Sequence, residues 1–122
     1  MIMEVLTTTF FVKVKGKRII VAGGTTGIGK AIAGLLAQLG GKVFILGRDP
    51  SDLESALEEL NGTDAKVEVY GATADVAEEE DIRVIFSTAL EYLGGIDILI
   101  NNAAVPAQGI VEENMESIRY IV

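Results

Sequence analysis

An apolar run from Arg18 to Ala22 leads straight into Gly23-Gly24-Thr25-Thr26-Gly27-Ile28-Gly29-Lys30, and apolar residues at helical spacing follow. Glycines at 23, 27 and 29 allow a tight turn, positive φ and close approach of the backbone to a ligand. The free N–H groups that open the next helix attract negative charge, so the chemistry offered is the holding of a phosphate. Two motifs compete for the same residues. Gly24-x4-Gly29-Lys30 fits a Walker A loop up to its last position, where a magnesium-ligating Ser or Thr is replaced by Ala31. No apolar strand ends in the Asp that would hold the metal from the second side. The alternative is Gly23-x3-Gly27-x-Gly29, which differs from the Gly-x-Gly-x-x-Gly dinucleotide fingerprint.

Other chemistries are narrowed by what the chain lacks. It has no Cys and no His, which excludes disulfides, thiolate or histidine metal sites and a Ser-His-Asp triad. The acidic run Glu78-Glu79-Glu80-Asp81 suits the first turn of a solvated helix, where acids complement the dipole, and we assign it no metal. A net charge of −8 opposes nucleic-acid binding. Seven of the ten basic residues lie at or before Arg48, whereas 17 of the 18 acids follow it, so positive charge gathers around the glycine turn. No apolar run approaches the roughly 20 residues of a membrane span, and Met1 to Phe10, with Glu4 as its only charge, has no basic start of an export signal. These features read as a cytoplasmic protein without membrane partners.

The elements that must position the turn alternate in type. Arg18 to Ala22 predicts a first strand, and Ile28, Ala31, Ile32, Leu35 and Leu36 predict a helix ending at Gly40-Gly41. Val43 to Leu46 is continuous apolar sequence, as in a strand covered on both faces. Ser51 and Glu54 suggest a capping box before the stripe Leu53, Ala56, Leu57 and Leu60, which Asn61-Gly62 closes. Val67 to Tyr70 predicts a third strand, and Asp75 with Glu78 a second cap. The spacing of Ile82, Ile85, Phe86, Ala89 and Leu93 predicts a helix up to Gly94-Gly95, and Ile96 to Ile100 a fourth strand. This alternation implies βαβ units in an α/β, Rossmann-like doubly wound parallel sheet of about four strands in the order 3-2-1-4. Ligands of such sheets sit beyond the carboxyl ends of the strands, where the glycine turn, Gly47-Arg48, Asp75 and Asn101-Asn102 would converge.

The turn resembles the cofactor turn of the short-chain dehydrogenase/reductase family, Thr-Gly-x-x-x-Gly-x-Gly. Asp75-Val76 and Gly95-Ile96-Asp97-Ile98-Leu99-Ile100-Asn101-Asn102-Ala103-Ala104 resemble two further family signatures, in order and at suitable separations. Ala22 replaces the usual Thr, and Ala104 the Gly of Asn-Asn-Ala-Gly. The likeness runs from about Val14 to the C-terminus and corresponds to the N-terminal half of a typical member. We therefore expect an NAD(P)-binding Rossmann-like domain over residues 14–122, apparently truncated, and an N-terminal extension over residues 1–13.

The resemblance implies cofactor-binding roles for Gly23, Thr25, Thr26, Gly27, Ile28, Gly29, Arg48, Asp75, Val76, Asn102, Ala103 and Ala104. A dinucleotide site reads the adenosine ribose just after strand two, and an acid there accepts from the 2′-hydroxyl and repels a 2′-phosphate. This chain has Gly47 and then Arg48, whose guanidinium can hold phosphate with two hydrogen bonds, so NADP is favoured over NAD. Thr25 and Thr26 add hydroxyls near the same phosphate, and Asp49 could approach the ribose. By resemblance Asp75 would accept from the adenine amino group, with the Val76 backbone completing the pairing. Asn102, Ala103 and Ala104 would line the adenosine ribose and nicotinamide side, and Asn101 would tie strands together.

Family members pass hydride between NADP and a carbonyl or alcohol, using a Ser and a Tyr-x-x-x-Lys pair in which Lys lowers the Tyr pKa. Tyr70, Tyr92 and Tyr120 have no Lys four positions later, so no catalytic residue is assigned. Three functions follow: the NADP-binding part of such an oxidoreductase, completed by residues beyond 122 or by another chain; a catalytically silent NADP-binding or interaction module; and a degenerate P-loop protein. Met115, Ile118 and Val122 keep a helical spacing after strand four, whose apolar edge would need a missing segment or a second copy to cover it. Val5 to Val14, β-prone and nearly uncharged, could add a strand to such an edge.

Overall fold

The computed structural model describes residues 13–62, 68–75 and 77–102, and the backbone of a strand at Tyr120–Ile121. Strand β1 (Arg18–Ala22) ends at the glycine turn, and helix α1 (Gly27–Gln38) leaves it. Next come β2 (Lys42–Gly47), α2 (Pro50–Asn61), β3 (Tyr70–Thr73), α3 (Glu79–Leu93), β4 (Ile98–Asn101) and β5 (Tyr120–Ile121). The sheet is parallel throughout, in the order β3-β2-β1-β4-β5. The predicted 3-2-1-4 order is therefore present, with one more strand beyond it.

Successive residues of a strand point to opposite faces, and both faces of this sheet are covered. Ile20, Ala22, Phe44, Leu46 and Leu99 pack against Ile82, Ile85, Phe86, Ala89 and Leu93 of α3. Ile19, Val21, Val43 and Ile45 face the other way, against Ala33, Leu36 and Ala37 of α1 and Ala56 of α2. Burial on both faces is the reason β1 and β2 read as unbroken apolar runs rather than alternating ones. Each fully buried Ile or Phe contributes roughly 1.5–3 kcal/mol, which makes this central pair the anchor for the loops beyond it.

Several boundaries differ from the sequence expectation, each for a local reason. The third strand begins at Tyr70 rather than Val67, which lies outside the described residues. Val69 cannot join the ladder, because the Asn61 side chain takes both of its backbone groups: Nδ2 donates to the Val69 carbonyl at 3.0 Å, and the Val69 N–H donates to Oδ1 at 2.7 Å. Helix α2 is capped by Asp49 and not by Ser51. The Asp49 carboxylate accepts from the N–H groups of Ser51 (2.8 Å) and Asp52 (3.2 Å), and Pro50 takes the first helical position, where a missing N–H costs nothing. Both bonds use Asp49 Oδ1, so the helix orients this carboxylate. Helix α3 starts at Glu79, with Glu78 as an N-cap that makes no side-chain bond, while Asp75 closes its own turn by accepting from the Ala77 N–H at 3.0 Å.

The fourth strand starts at Ile98, two residues later than expected, because the carboxylate of Asp97 is drawn into a bond network with Arg18. The Arg18 backbone N–H (2.9 Å) and Nε (2.9 Å) both donate to Asp97 Oδ2, Nη2 donates to Oδ1 (3.0 Å), and Nη1 donates to the Gly94 carbonyl (3.2 Å). Asp97 is 5% exposed, and its carboxylate keeps the Arg18 guanidinium above its ordinary pKa through the hydrogen bonds first and charge attraction second. The expected bare edge of strand four is also corrected. Tyr120 pairs with Ile98 and Ile121 with Leu99, so a strand stands where the Met115, Ile118 and Val122 spacing suggested a helix. Edge pairing satisfies backbone groups of β4 that a helix at those residues would leave open. Met115, Ile118 and Val122 themselves lie outside the described residues, as do residues 1–12 of the expected N-terminal extension.

Candidate functional site

The carboxyl ends of β1, β2, β3 and β4 lie side by side, and the ends of β1 and β2 hold the loops of their neighbours through backbone bonds. Leu46 of β2 accepts from the N–H groups of Gly23 (2.9 Å) and Gly24 (3.0 Å), which pins the glycine turn over the end of β2. Gly47 accepts from the Ala74 N–H at 2.9 Å, and Ala22 accepts from the Asn102 N–H at 2.8 Å. Four segments far apart in sequence are therefore fixed along one edge.

Within the turn, Gly23 has φ 77° and Gly27 φ 55°, backbone that favours glycine. Gly29 differs from the expectation of positive φ; its role is close approach. A Cβ at Gly29 would run into the Gly23 carbonyl oxygen and lie 2.9 Å from Asn102 Nδ2, so the absent side chain lets α1 start directly against the turn and the β4 loop. Thr26 is the N-cap of α1 but makes no side-chain cap bond, and no acid occupies the first turn. The opening N–H groups thus keep their positive end of the helix dipole for an outside anion. Lys30, which a Walker loop would turn toward phosphate, instead reaches α2, with Nζ 2.8 Å from Glu59 Oε2.

The predicted residues fall at several places along this edge. Gly23, Thr26, Gly27 and Ile28 line the exposed side of the turn, and Ile28, 72% exposed, presents an apolar side chain beside it. Thr25 turns inward and is 7% exposed, its side chain lying where a Cβ on Gly47 would fall. Arg48 is exposed and lines a cleft of about 250 Å³ with Thr73, Ala74, Asp75 and Asp81. Asp75 Oδ1 is used by the Ala77 N–H, which leaves its other oxygen to accept, while Asp81 Oδ2 accepts from the Asp75 N–H at 3.0 Å. Asn102 is exposed at the end of β4 with its amide against Gly29. Asn101, expected to tie strands together, is the last residue of β4, in register with Ala22, and its residue surface is exposed. Val76, Ala103 and Ala104 lie outside the described residues.

Sequence reasoning missed Thr73 and Asp81 as cleft residues. Thr73 lies three positions past the predicted strand end at Tyr70 because of the shifted β3, and Asp81 was absorbed into a charge run. Among the described tyrosines, Tyr70 stacks on Tyr92 with ring centroids 4.5 Å apart, and its hydroxyl donates to Glu68 Oε2 at 3.3 Å. The Glu68 charge, followed by burial, raises the Tyr70 pKa, the opposite of an activated phenol. Among the described residues there is no cluster of acids suited to a metal, and no helix is long and apolar enough to cross a membrane.

Comparison with known proteins places this geometry. The family model for short chain dehydrogenase matches residues 17–121. A 3-oxoacyl-[acyl-carrier-protein] reductase of Aquifex aeolicus is 36% identical over 94 residues, covering 77% of this chain and 38% of that protein. An NADP-dependent (R)-specific alcohol dehydrogenase of Lentilactobacillus kefiri is 36% identical over 101 residues, covering 83% of this chain and 39% of its own length. The crystal structure of an actinorhodin polyketide ketoreductase variant with NADPH superposes with a TM-score of 0.68 at 37% identity, covering 74% of this chain and 34% of that one. The chain thus spans between 27% and 39% of the length of these curated relatives.

Proposed function

Because the chain belongs to the short chain dehydrogenase family, we propose that residues 14–122 form the NADP-binding part of an oxidoreductase acting on a carbonyl or alcohol. The residues present fit the dinucleotide. The glycine turn and the open N-terminus of α1 would take the pyrophosphate, since the missing Cβ of Gly29 lets α1 open directly against the turn and its uncapped N–H groups offer partners for it. Arg48 would hold the 2′-phosphate, with the exposed Thr26 hydroxyl of the glycine turn as a second donor. Asp75 would accept from the adenine amino group through its uncommitted oxygen, beside the Val76 backbone. Asn102, with Ala103 and Ala104, would line the path from ribose to nicotinamide. Bound NADP would supply or take up the hydride. The proton exchange of a carbonyl reduction would then fall to residues outside this chain or on a partner, since the chain carries no Tyr-x-x-x-Lys.

The observation that carries the NADP assignment is Arg48, exposed next to Gly47 in the cleft with Thr73 and Asp75. No carboxylate stands at the end of β2 to repel a 2′-phosphate, and the acid that follows, Asp49, is oriented by the α2 cap through its Oδ1. Replacement of Arg48 by Ala tests this directly. Charge-assisted hydrogen bonds are worth about 1.5–3 kcal/mol, so NADPH should bind roughly 10- to 100-fold more weakly while NADH changes little. Equal losses for both coenzymes in a fluorescence titration would overturn the assignment. A carbonyl-dependent oxidation of NADPH, absent from a catalytically silent module, separates the two readings of what the bound coenzyme does.

A further inference from the structure

Gly47 occupies the position at the end of β2 where a dinucleotide site reads the ribose, and the fold leaves no space there for any other residue. A Cβ built on Gly47 would collide with Thr25 Oγ1 and would lie 2.9 Å from Thr25 Cβ. Contact with the hydroxyl alone could be relieved by turning the side chain. Contact with the Cβ cannot, because that atom moves only with the backbone, and the neighbouring turn is bonded to Leu46 through the N–H groups of Gly23 and Gly24. Thr25 is also 7% exposed, so it has no open side into which to retreat. Its β-branched side chain is stiff as well as confined.

We propose that Thr25 is a specificity-determining residue: packed against Gly47, it shuts out the carboxylate side chain that would select a dinucleotide lacking the 2′-phosphate. The preference for NADP is then held by two features on different elements. Arg48 attracts the phosphate, and the Thr25–Gly47 contact forbids the residue that would attract its absence. Thr25 acts through position 47 as a positioning residue, rather than by offering its own hydroxyl to the phosphate. This inference rests on the dinucleotide reading of the site, and it makes coenzyme choice a paired trait. A single acid introduced after β2 would displace the turn without switching the coenzyme.

The test uses the chain with four changes, Gly47→Asp, Thr25→Gly, Thr25→Gly/Gly47→Asp and Thr25→Gly/Gly47→Ala, set beside Gly47→Ala and the parent. Thermal melts read the packing. Gly47→Ala should lower Tm, and Thr25→Gly should remove most of that penalty in the double variant, a positive coupling between neighbours that remains measurable even where Thr25→Gly is itself destabilising. Titrations with NADPH and NADH read the specificity. Gly47→Asp alone should weaken both coenzymes, whereas Thr25→Gly/Gly47→Asp should raise the NADH-to-NADPH affinity ratio about tenfold or more above the single variant. A merely structural role for Thr25 would restore Tm and leave that ratio unmoved, which overturns the proposal. It is overturned equally if Gly47→Asp keeps the parent Tm and gains NADH without any change at Thr25. A parent chain that binds neither coenzyme refutes the dinucleotide reading itself, a result distinct from either of these.

Discussion

Replacing Gly29 by Ala sets two effects of opposite sign against each other. In a helix interior Ala is favoured over Gly by about 0.8–1.0 kcal/mol, so propensity alone predicts a more stable α1. The structure predicts the reverse. The new Cβ would overlap the Gly23 carbonyl oxygen and lie 2.8 Å from the Gly23 carbonyl carbon. Those atoms are backbone, held by the Gly23 N–H bond to Leu46 and by a φ of 77°, so they cannot swing aside as a side chain would. Forced overpacking of this kind costs about 1–3 kcal/mol, which leaves a net loss of up to about 2 kcal/mol after the helical gain. Gly27→Ala is the control. It has positive φ but nothing within 4 Å of its would-be Cβ, so it carries only the left-handed backbone cost of about 1–2 kcal/mol and leaves the turn where it is. Urea unfolding would therefore show losses of similar size for both variants. Coenzyme titration would separate them, with Gly29→Ala losing roughly tenfold or more in affinity as the turn is pushed outward, and Gly27→Ala losing less. A Gly29→Ala chain as stable as the parent, with unchanged coenzyme affinity, would refute the close-approach reasoning.

Three other outcomes follow from the titratable groups. Lys30→Ala removes an exposed bridge to Glu59 and should cost about 0–1 kcal/mol, vanishing in high salt. Asp97→Asn breaks a buried partner of Arg18 and should lower Tm by roughly two to three times as much, with little salt dependence, as differential scanning calorimetry at two salt concentrations would show. The raised pKa of Tyr70 makes its stabilising contribution fully present below its ordinary titration range near pH 10 and lost as the pH climbs through the higher folded value. Glu68→Gln removes the leading cause, so the tyrosinate absorbance assigned to Tyr70 by difference from Tyr70→Phe should shift to lower pH.

The sheet order and the segments along its carboxyl edge were legible because apolar runs, glycine stops and helical stripes are local signals. Arg18–Ala22 appears as β1 with its predicted bounds. What escaped was set by contacts between distant residues. No spacing rule announces that Asn61 will claim the backbone of Val69 and delay β3, or that Asp97 will leave a run of isoleucines to join Arg18, 79 residues away in sequence. The acid within an otherwise apolar strand was the available sign, because a lone carboxylate at a buried position needs a partner. Thr25 shows the same limit at the site. Its hydroxyl suggested a phosphate contact, and only the packing of the turn over β2 reveals that the side chain faces Gly47.

The precision of the candidate site comes from the two ends of β1. At its start, Arg18 binds Asp97 and Gly94, which fixes where β4 begins; at its end, Ala22 accepts from Asn102, which fixes where the β4 loop emerges. Between them Ile19, Ile20 and Val21 pair with Ile98, Leu99 and Ile100. A slip of one residue would send each of these side chains to the opposite core, an error both packed faces forbid. The register therefore decides that Asn102, and no neighbour, meets Gly29. Because β2 is locked to β1 over five paired residues, the same constraint sets Gly47 beneath Thr25. Side chains that would read a dinucleotide thus stand on loops, but their positions are inherited from the apolar ladder below, far from any charge in the site.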